Sequence, residues 1–227
     1  MSPSQNKKPQ SPPPEPLALA TVSRAPQQGR SKASFERMLA TARELMLERR
    51  GEDFTLQDVS QRGNVSIGSI YLRFKSKDNL VRAVIANALE ELGVRQTAMI
   101  GEVCGSATTL AEFVPRYVES YAEVLREHAP LLRLAMERAA SDPLVSGPGK
   151  QSADRSARLG LEAMLTFADE FGGSDPEVKA SASYHIIFAT LARELSLGST
   201  GESARGYDWE QLKRELARMC LAYLKAD

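Results

Sequence analysis

The sequence predicts an all-helical protein, and three observations support this prediction. From Ser34 onward, apolar residues recur at steps of three and four, which places them on one face of a helix. Residues that favour helix N-caps precede many of these segments. No segment shows the period-two pattern rich in β-branched residues that is typical of strands. We therefore expect about nine helices.

The first predicted helix begins near Ser34 and ends at Gly51, a residue type that favours helix C-termini. Its apolar stripe consists of Phe35, Met38, Leu39, Ala42, Leu45 and Met46. Before this helix, residues 1–31 hold seven of the chain's twelve prolines and almost no large apolar side chains. A segment of this composition buries too little apolar surface to become ordered. We expect a flexible tail there.

Two short helices with a tight turn between them are predicted next. Thr55 can cap the second helix, and Asp58 stands where its side chain completes a capping box. Residues 62–65 interrupt this helix with two residues that tolerate positive φ. Ser66 can then cap a third helix to about residue 72. The order is helix, tight turn, helix.

Further caps and breakers predict the remaining elements. A fourth helix begins after Ser76 and extends to Met99 or beyond. Pro130 is expected to separate two helices, and the segment from Asp142 to Gly149 is expected to form a loop. With these boundaries, the later helices are predicted over residues 109–127, 130–140, 152–171, 176–197 and 208–223.

The segment between the second and fourth helices has two faces. Three short helices form a compact unit when they share apolar side chains spaced like Leu56, Val59, Val65, Ile70 and Phe74. The outward face combines hydroxyl and ammonium groups that suit phosphates with small side chains that fit a DNA groove. Its members are Thr55, Ser66, Ile67, Ser69, Tyr71, Lys75 and Lys77. Gly68 lies among them and allows backbone to approach DNA closely.

Residues 34–84 resemble the DNA-binding domain of the TetR family of bacterial regulators. The resemblance rests on the run VSIGSIYLRF at residues 65–74 and the run SKDNL at residues 76–80, preceded by a helix that a threonine initiates. It implies that Thr55, Ser66, Tyr71 and Lys77 hold phosphates. It also implies that Ile67, Gly68 and Ser69 lie nearest the base edges.

The sequence departs from the family pattern at two places. Gly63-Asn64 stands where the family usually has Ala-Gly, so Asn64 must adopt the left-handed conformation. Arg73 replaces a common histidine and could add a phosphate contact. Because Ile67 offers apolar rather than hydrogen-bonding readout, the resemblance does not identify the operator sequence.

Three domains are expected: a tail over residues 1–31, a helix-turn-helix domain over 32–80, and a ligand-binding and dimerisation domain over 81–227. Residues 1–80 contain 13 Lys and Arg against 8 Asp and Glu, a net +5, and the rest contains 16 against 21, a net −5. The basic end is the candidate for phosphate contact. Two interpretations stay open for the tail: a basic arm that contacts DNA, or an inert extension. Its basic side chains are Lys7, Lys8, Arg24 and Arg30.

A homodimer on a palindromic operator is expected, since one helix-turn-helix makes few contacts and symmetric half-sites double them. The helices predicted over 152–171 and 176–197 are the interface candidates, and the resemblance implies a four-helix bundle with the partner. The second has small residues on or beside one face, namely Val178, Ala182, Ser183, Ile186 and Ala189. The alternative is that these faces fill the monomer core, with the last helix as support or as an added interface element.

The resemblance also implies a small-molecule effector site in the C-terminal body. Aromatic and methionine side chains could line its cavity, although such stripes equally form plain core. The candidates are Met99, Phe113, Tyr117, Tyr121, Met136, Met164, Phe167 and Phe188. The expected mechanism is a repressor that leaves DNA when the effector moves the helix that starts at Ser76.

Several other classes are disfavoured. No apolar run is long enough for a membrane span or a signal-peptide core, so a cytoplasmic location is expected. Cys104 and Cys220 fit no metal-binding spacing and are expected to be small buried hydrophobic residues; no metal or cofactor is expected. No enzyme motif is present. The alternative function is a helical DNA-binding or protein-interaction protein without an effector, which would tolerate any DNA sequence.

Overall fold

The computed structural model describes residues 29–198 and 208–227. Within these two ranges all regular secondary structure is helical, comprising eight α-helices and one 3₁₀-helix. The predicted all-helical class is therefore confirmed. The α-helices are α1 (Gly29–Arg49), α2 (Leu56–Arg62), α3 (Ile67–Arg73), α4 (Lys77–Ser106), α5 (Leu110–Ala139), α6 (Pro143–Leu165), α7 (Pro176–Glu194) and α8 (Trp209–Lys225), and the 3₁₀-helix is Ala168–Glu170.

The N-terminal unit consists of α1, α2, α3 and the start of α4 around one apolar core. Its fully buried side chains include Met38, Met46, Val59, Ile70, Phe74 and Leu80. The predicted capping box is confirmed, since Thr55 Oγ1 accepts from the Asp58 amide at 3.1 Å and the Asp58 carboxylate accepts from the Thr55 amide at 2.8 Å. Asn64 has the predicted positive φ, 47°.

Gly63 in the turn allows α1 and α2 to approach closely. A Cβ atom at this position would lie 2.8 Å from Thr41 Oγ1 and 2.9 Å from the Val59 carbonyl oxygen. Both distances are shorter than any ordinary carbon contact. The turn therefore requires glycine at position 63, because no Cβ atom fits there. Asn64 is the residue of the turn that adopts the left-handed conformation.

The long helix α4 joins this unit to the C-terminal body. It packs against α1 at one end and against α5 and α6 along the rest of its length. In the body, α5 also contacts α6, α7 and α8, and α7 packs between α6 and α8. The two free cysteines belong to this part: Cys220 is buried and Cys104 is half-buried, in agreement with the prediction of small apolar residues.

Three predicted boundaries are wrong. Pro130 does not end a helix, and α5 continues past it. The burial of its neighbours Ala129 and Leu131 in the core explains this. The expected loop at 142–149 is the first part of α6, which Pro143 starts at a position where a proline costs no hydrogen bond. The first helix begins at Gly29 and so includes residues 29–31 of the expected tail; residues 1–28 lie outside the described part of the chain.

A charged network connects the N-terminal unit to the body. Arg138 at the end of α5 donates to Glu52 Oε2 at 2.9 Å, Asp78 Oδ1 at 2.7 Å and Asp142 Oδ2 at 2.9 Å. Arg82 donates to the same Asp142 oxygen at 2.7 Å. Burial raises the pKa of Asp142, but the hydrogen bonds from the two guanidinium groups lower it by more. Asp142 is therefore held as a carboxylate at the junction.

Candidate functional site

Helix α3 presents one face to solvent. Ser66 caps it by accepting from the Ser69 amide at 3.1 Å, which satisfies a backbone donor that has no partner within the helix. Ile70 is fully buried on the inner side, whereas Tyr71 is 58% exposed and Leu72 is 56% exposed. These two adjacent apolar side chains are therefore available on the solvent face of α3 to contact a partner surface.

The residues predicted to lie near base edges are found on or beside this exposed face. Gly68 is exposed, and a Cβ atom there would meet nothing within 4 Å. Nothing in the packing of this chain therefore demands glycine at that position. Ser69 is half-buried, with its hydroxyl 2.7 Å from that of Ser66. Ile67 is also half-buried and packs partly on the core.

The predicted phosphate contacts border the same surface. Thr55 and Lys75 are exposed. Lys77 is half-buried; its ammonium group donates to the Glu52 carbonyl oxygen at 2.7 Å and lies 5.4 Å from the centre of the Phe54 ring. An ammonium group has three N–H donors, so this contact leaves Lys77 able to donate elsewhere.

Arg73, which the sequence suggests as an additional phosphate contact, lies inside the N-terminal unit. It is only 7% exposed, and its guanidinium carbon lies 5.7 Å from the centre of the Phe35 ring. The last turn of α3 directs this side chain towards α1 rather than towards the surface. The position does not favour the phosphate contact that the substitution of histidine by arginine suggests.

Sequence reasoning missed Leu72 as a member of the surface. The signal was present, because Leu72 follows the buried Ile70 by two residues and so lies on the opposite side of the helix. Two nearby exposed arginines are paired with acidic side chains: Arg62 pairs with Glu48, and Arg49 pairs with Asp58.

A cavity of about 370 Å³ lies in the body between α4, α5, α6 and α7. Three of the predicted effector residues line it, namely Tyr121, Met136 and Phe188. The other five do not. Tyr117 and Phe113 lie one and two turns before Tyr121 on α5, away from the cavity. They pack on neighbouring rings in the core. The remaining three that do not line this cavity are Met99, Met164 and Phe167.

A cluster of three hydroxyl groups forms one wall of the cavity. Tyr184 donates to Ser156 Oγ at 3.0 Å, and the Tyr121 hydroxyl lies 3.2 Å from Ser156 Oγ and 3.1 Å from the Tyr184 hydroxyl. Burial raises the pKa of Tyr121 well above its ordinary value, so this phenol stays protonated. Sequence reasoning missed Ser156 and Tyr184, although a serine on the inner face of a helix is a signal for a buried polar group.

The family comparison concerns the N-terminal unit. Residues 38–84 match the sequence model described as "Bacterial regulatory proteins, tetR family". This range covers most of α1, all of α2 and α3, and the start of α4. No curated protein matches the chain in sequence.

Solved structures resemble the chain over most of its length. A putative TetR-family transcriptional regulator from Mesorhizobium loti has a TM-score of 0.70 at 16% identity, covering 87% of this chain and 98% of its own. A putative transcriptional regulator from Saccharomonospora viridis in complex with choline has a TM-score of 0.66 at 17% identity, covering 83% and 95%. The fatty acid degradation regulator FadR from Bacillus halodurans has a TM-score of 0.62 at 15% identity, covering 88% and 100%.

The similarity to solved structures shows a shared fold. The sequence match, in turn, covers the segment that contains α2, the tight turn and α3. The exposed face of α3 lies within the matched range. Residues 38–84 thus match the tetR family of bacterial regulatory proteins, and the chain as a whole shares the fold of the solved structures.

Proposed function

We propose that this DNA-binding regulator is a repressor that leaves a palindromic operator when a small molecule binds its body. The observation that carries the proposal is the exposed face of α3, where Tyr71 and Leu72 project into solvent while Ile70 next to them is buried. A helix with such a face fits the major groove, which admits one α-helix. The protein acts by binding alone, without catalysis, and resides with the chromosome in the cytoplasm.

We assign two roles to the residues of this surface. Thr55, Ser66, Tyr71, Lys75 and Lys77 contact phosphates and set the position of α3, which is the usual use of hydroxyl and ammonium groups on DNA. Ile67, Gly68, Ser69 and the added Leu72 face the base edges, where an apolar side chain can contact the methyl group of thymine. Arg73 is left out of both groups because it is buried.

The proposed homodimer uses α7 and α8 rather than α6 and α7. Val178 and Ile186 on α7 and Met219 and Tyr223 on α8 are 40–65% exposed, and the two helices pack side by side. The outer face of α6 instead has charged side chains that include Arg155, Arg158 and Glu162. Ser183 is completely buried and faces the monomer core. An isologous interface needs exposed apolar surface, which favours the α7–α8 pair.

The cavity is the proposed effector site, and the Arg138 network is the proposed route to the DNA-binding unit. Met136 and Ala139 line the cavity on either side of Arg138 in sequence, and Val145 lines it just after Asp142. A ligand that shifts the end of α5 therefore also moves the side chain that holds Glu52 and Asp78. The domain division into residues 32–80 and 81–227 is part of this proposal.

Genomic footprinting tests the proposal. We expect protection of a palindrome whose half-site centres lie about 34–36 Å apart, or a multiple of that distance. Scattered protection without symmetry would instead favour the alternative, a helical DNA-binding protein without an effector. Because the footprint needs no ligand, its result is independent of the effector's chemistry.

A further inference from the structure

The cavity in the body has an almost uncharged lining. Lys150 is the only lysine, arginine, histidine or acidic residue among the described residues that line it, and Lys150 itself is exposed to solvent. Most of the other lining side chains are aliphatic or aromatic. A charged ligand would lose its hydration in such a space without a buried opposite charge, which costs several kcal/mol or more. The interior therefore favours a neutral molecule.

The hydroxyl cluster restricts what the neutral molecule can carry. A serine hydroxyl has one proton to donate and two lone pairs to accept with, and a tyrosine hydroxyl can donate once and accept. Tyr184 uses its proton on Ser156, so Tyr121 donates to Tyr184, and Ser156 donates to Tyr121 at the third side of the triangle. In this ring all three protons are used, and the Ser156 oxygen keeps a lone pair that can accept another hydrogen bond.

We propose that the cavity binds an uncharged, mainly apolar molecule that bears a hydroxyl group, with that group donating to the cluster formed by Tyr121, Ser156 and Tyr184. The inference rests on the proposed effector role of this cavity. Such a ligand gains a hydrogen bond without opening the ring. At this cluster, a ligand that can only accept, such as an ether, has to break one of the three bonds first, so a buried polar group is left without its partner.

The cavity volume indicates how much of a ligand the protein can enclose. At about 30 Å³ for each non-hydrogen atom, the share that a molecule has in liquid water, the 370 Å³ of the cavity accommodate about a dozen such atoms. A medium-chain alcohol or a small substituted phenol has this size. We use n-decanol as the probe, because chain and head group can be varied separately.

Isothermal titration calorimetry on the ligand-free full chain tests the proposal with four probes. These are n-decanol, its isomer methoxynonane, decanoate and decyltrimethylammonium. We expect n-decanol to bind at least about 10-fold more tightly than each of the others, which corresponds to about 1.4 kcal/mol. Methoxynonane has the same atoms but no donor, and the two ions keep a similar chain but add charge.

Two matched variants locate the hydroxyl contact. Tyr184→Phe removes one oxygen of the cluster, and we expect it to reduce the preference for n-decanol over methoxynonane to less than about 3-fold. Tyr117→Phe makes the same change one turn away on α5, at a phenol that does not line the cavity, and should leave the preference unchanged. Ser156→Ala provides a second removal if the first variant does not fold.

Each other result overturns part of the inference. Tighter binding of either ion overturns the uncharged class, while the effector role stands if that ion lowers operator affinity. Equal binding of the two isomers, or equal effects of the two tyrosine variants, overturns the hydroxyl contact. If no probe binds, the ligand class is wrong, and footprinting of the ligand-free chain still decides separately whether the protein is an operator-specific regulator.

Discussion

The substitution Arg138→Met should loosen the DNA-binding unit from the body, because this side chain makes two ion-paired hydrogen bonds across their junction, to Glu52 and Asp78, and a third to Asp142 within the body. The exposed Asp78 contributes little, as surface pairs are worth about 0–1 kcal/mol. Asp142 is 5% exposed but keeps Arg82 as a partner. Glu52 loses the contact made by Arg138. A hydrogen bond to a charged group contributes about 1.5–3 kcal/mol, so we expect a loss of about 2 kcal/mol in the free energy of unfolding.

Two measurements with one matched control test this expectation. A loss of 2 kcal/mol corresponds to a Tm lower by about 4–8 °C for a chain of this size, measured by calorimetry. Arg82→Met is the control, since it removes the other partner of Asp142 without touching Glu52. Hydrogen exchange in residues 51–56 should therefore accelerate in Arg138→Met and much less in Arg82→Met. Equal acceleration in both variants, or an unchanged Tm in Arg138→Met, would refute the role of this arginine at the junction.

Three further predictions concern the turn, the DNA contacts and acid stability. Gly63→Ala should lower the free energy of unfolding by about 1–3 kcal/mol because of overpacking against Thr41, whereas Gly68→Ala should leave it nearly unchanged; equal thermal melts would contradict this. Lys77→Ala should weaken binding to all DNA sequences alike and lower the salt slope by about one, whereas Ser69→Ala should change sequence preference; equal effects would contradict the division of roles. Burial raises the pKa of Glu123, but hydrogen bonds from Lys213 and Trp209 lower it by more. The stabilisation that these contacts give the folded protein is therefore complete above the unfolded pKa of about 4.3. It is lost as the pH falls through the lower pKa of the folded state. The stability difference between wild type and Lys213→Met should accordingly shrink in acid, and a difference that grows below about pH 4 would refute this pairing.

Local features of the fold were predictable from the sequence. Thr55, Ser66, Ser76, Thr109 and Asp208 all cap their helices as hydrogen-bond acceptors for an amide three residues later. Such contacts depend only on neighbours in sequence, so their prediction needs no tertiary information. The left-handed turn residue was predictable for the same reason.

Features that depend on packing between helices were not predictable. A proline at position 130 usually ends a helix, and only the burial of its neighbours explains why α5 continues. In the same way, an aromatic stripe on α5 does not reveal which of its turns faces a void. Tyr121 lines the cavity and Tyr117 does not, because the gap is defined by where α6 and α7 lie against α5.

The central claim is that α3 lies in the major groove, and directed cleavage tests it most directly. Gly68→Cys, made in a Cys104→Ser background and labelled with an iron chelate, places a cutting group on the exposed face of α3. We predict two symmetric sets of cuts, one in each half-site of the operator, and none from the same label at Glu162→Cys on the outer face of α6. Absence of cuts from the α3 label on DNA that the protein occupies, or equal cutting from both labels, would contradict the account.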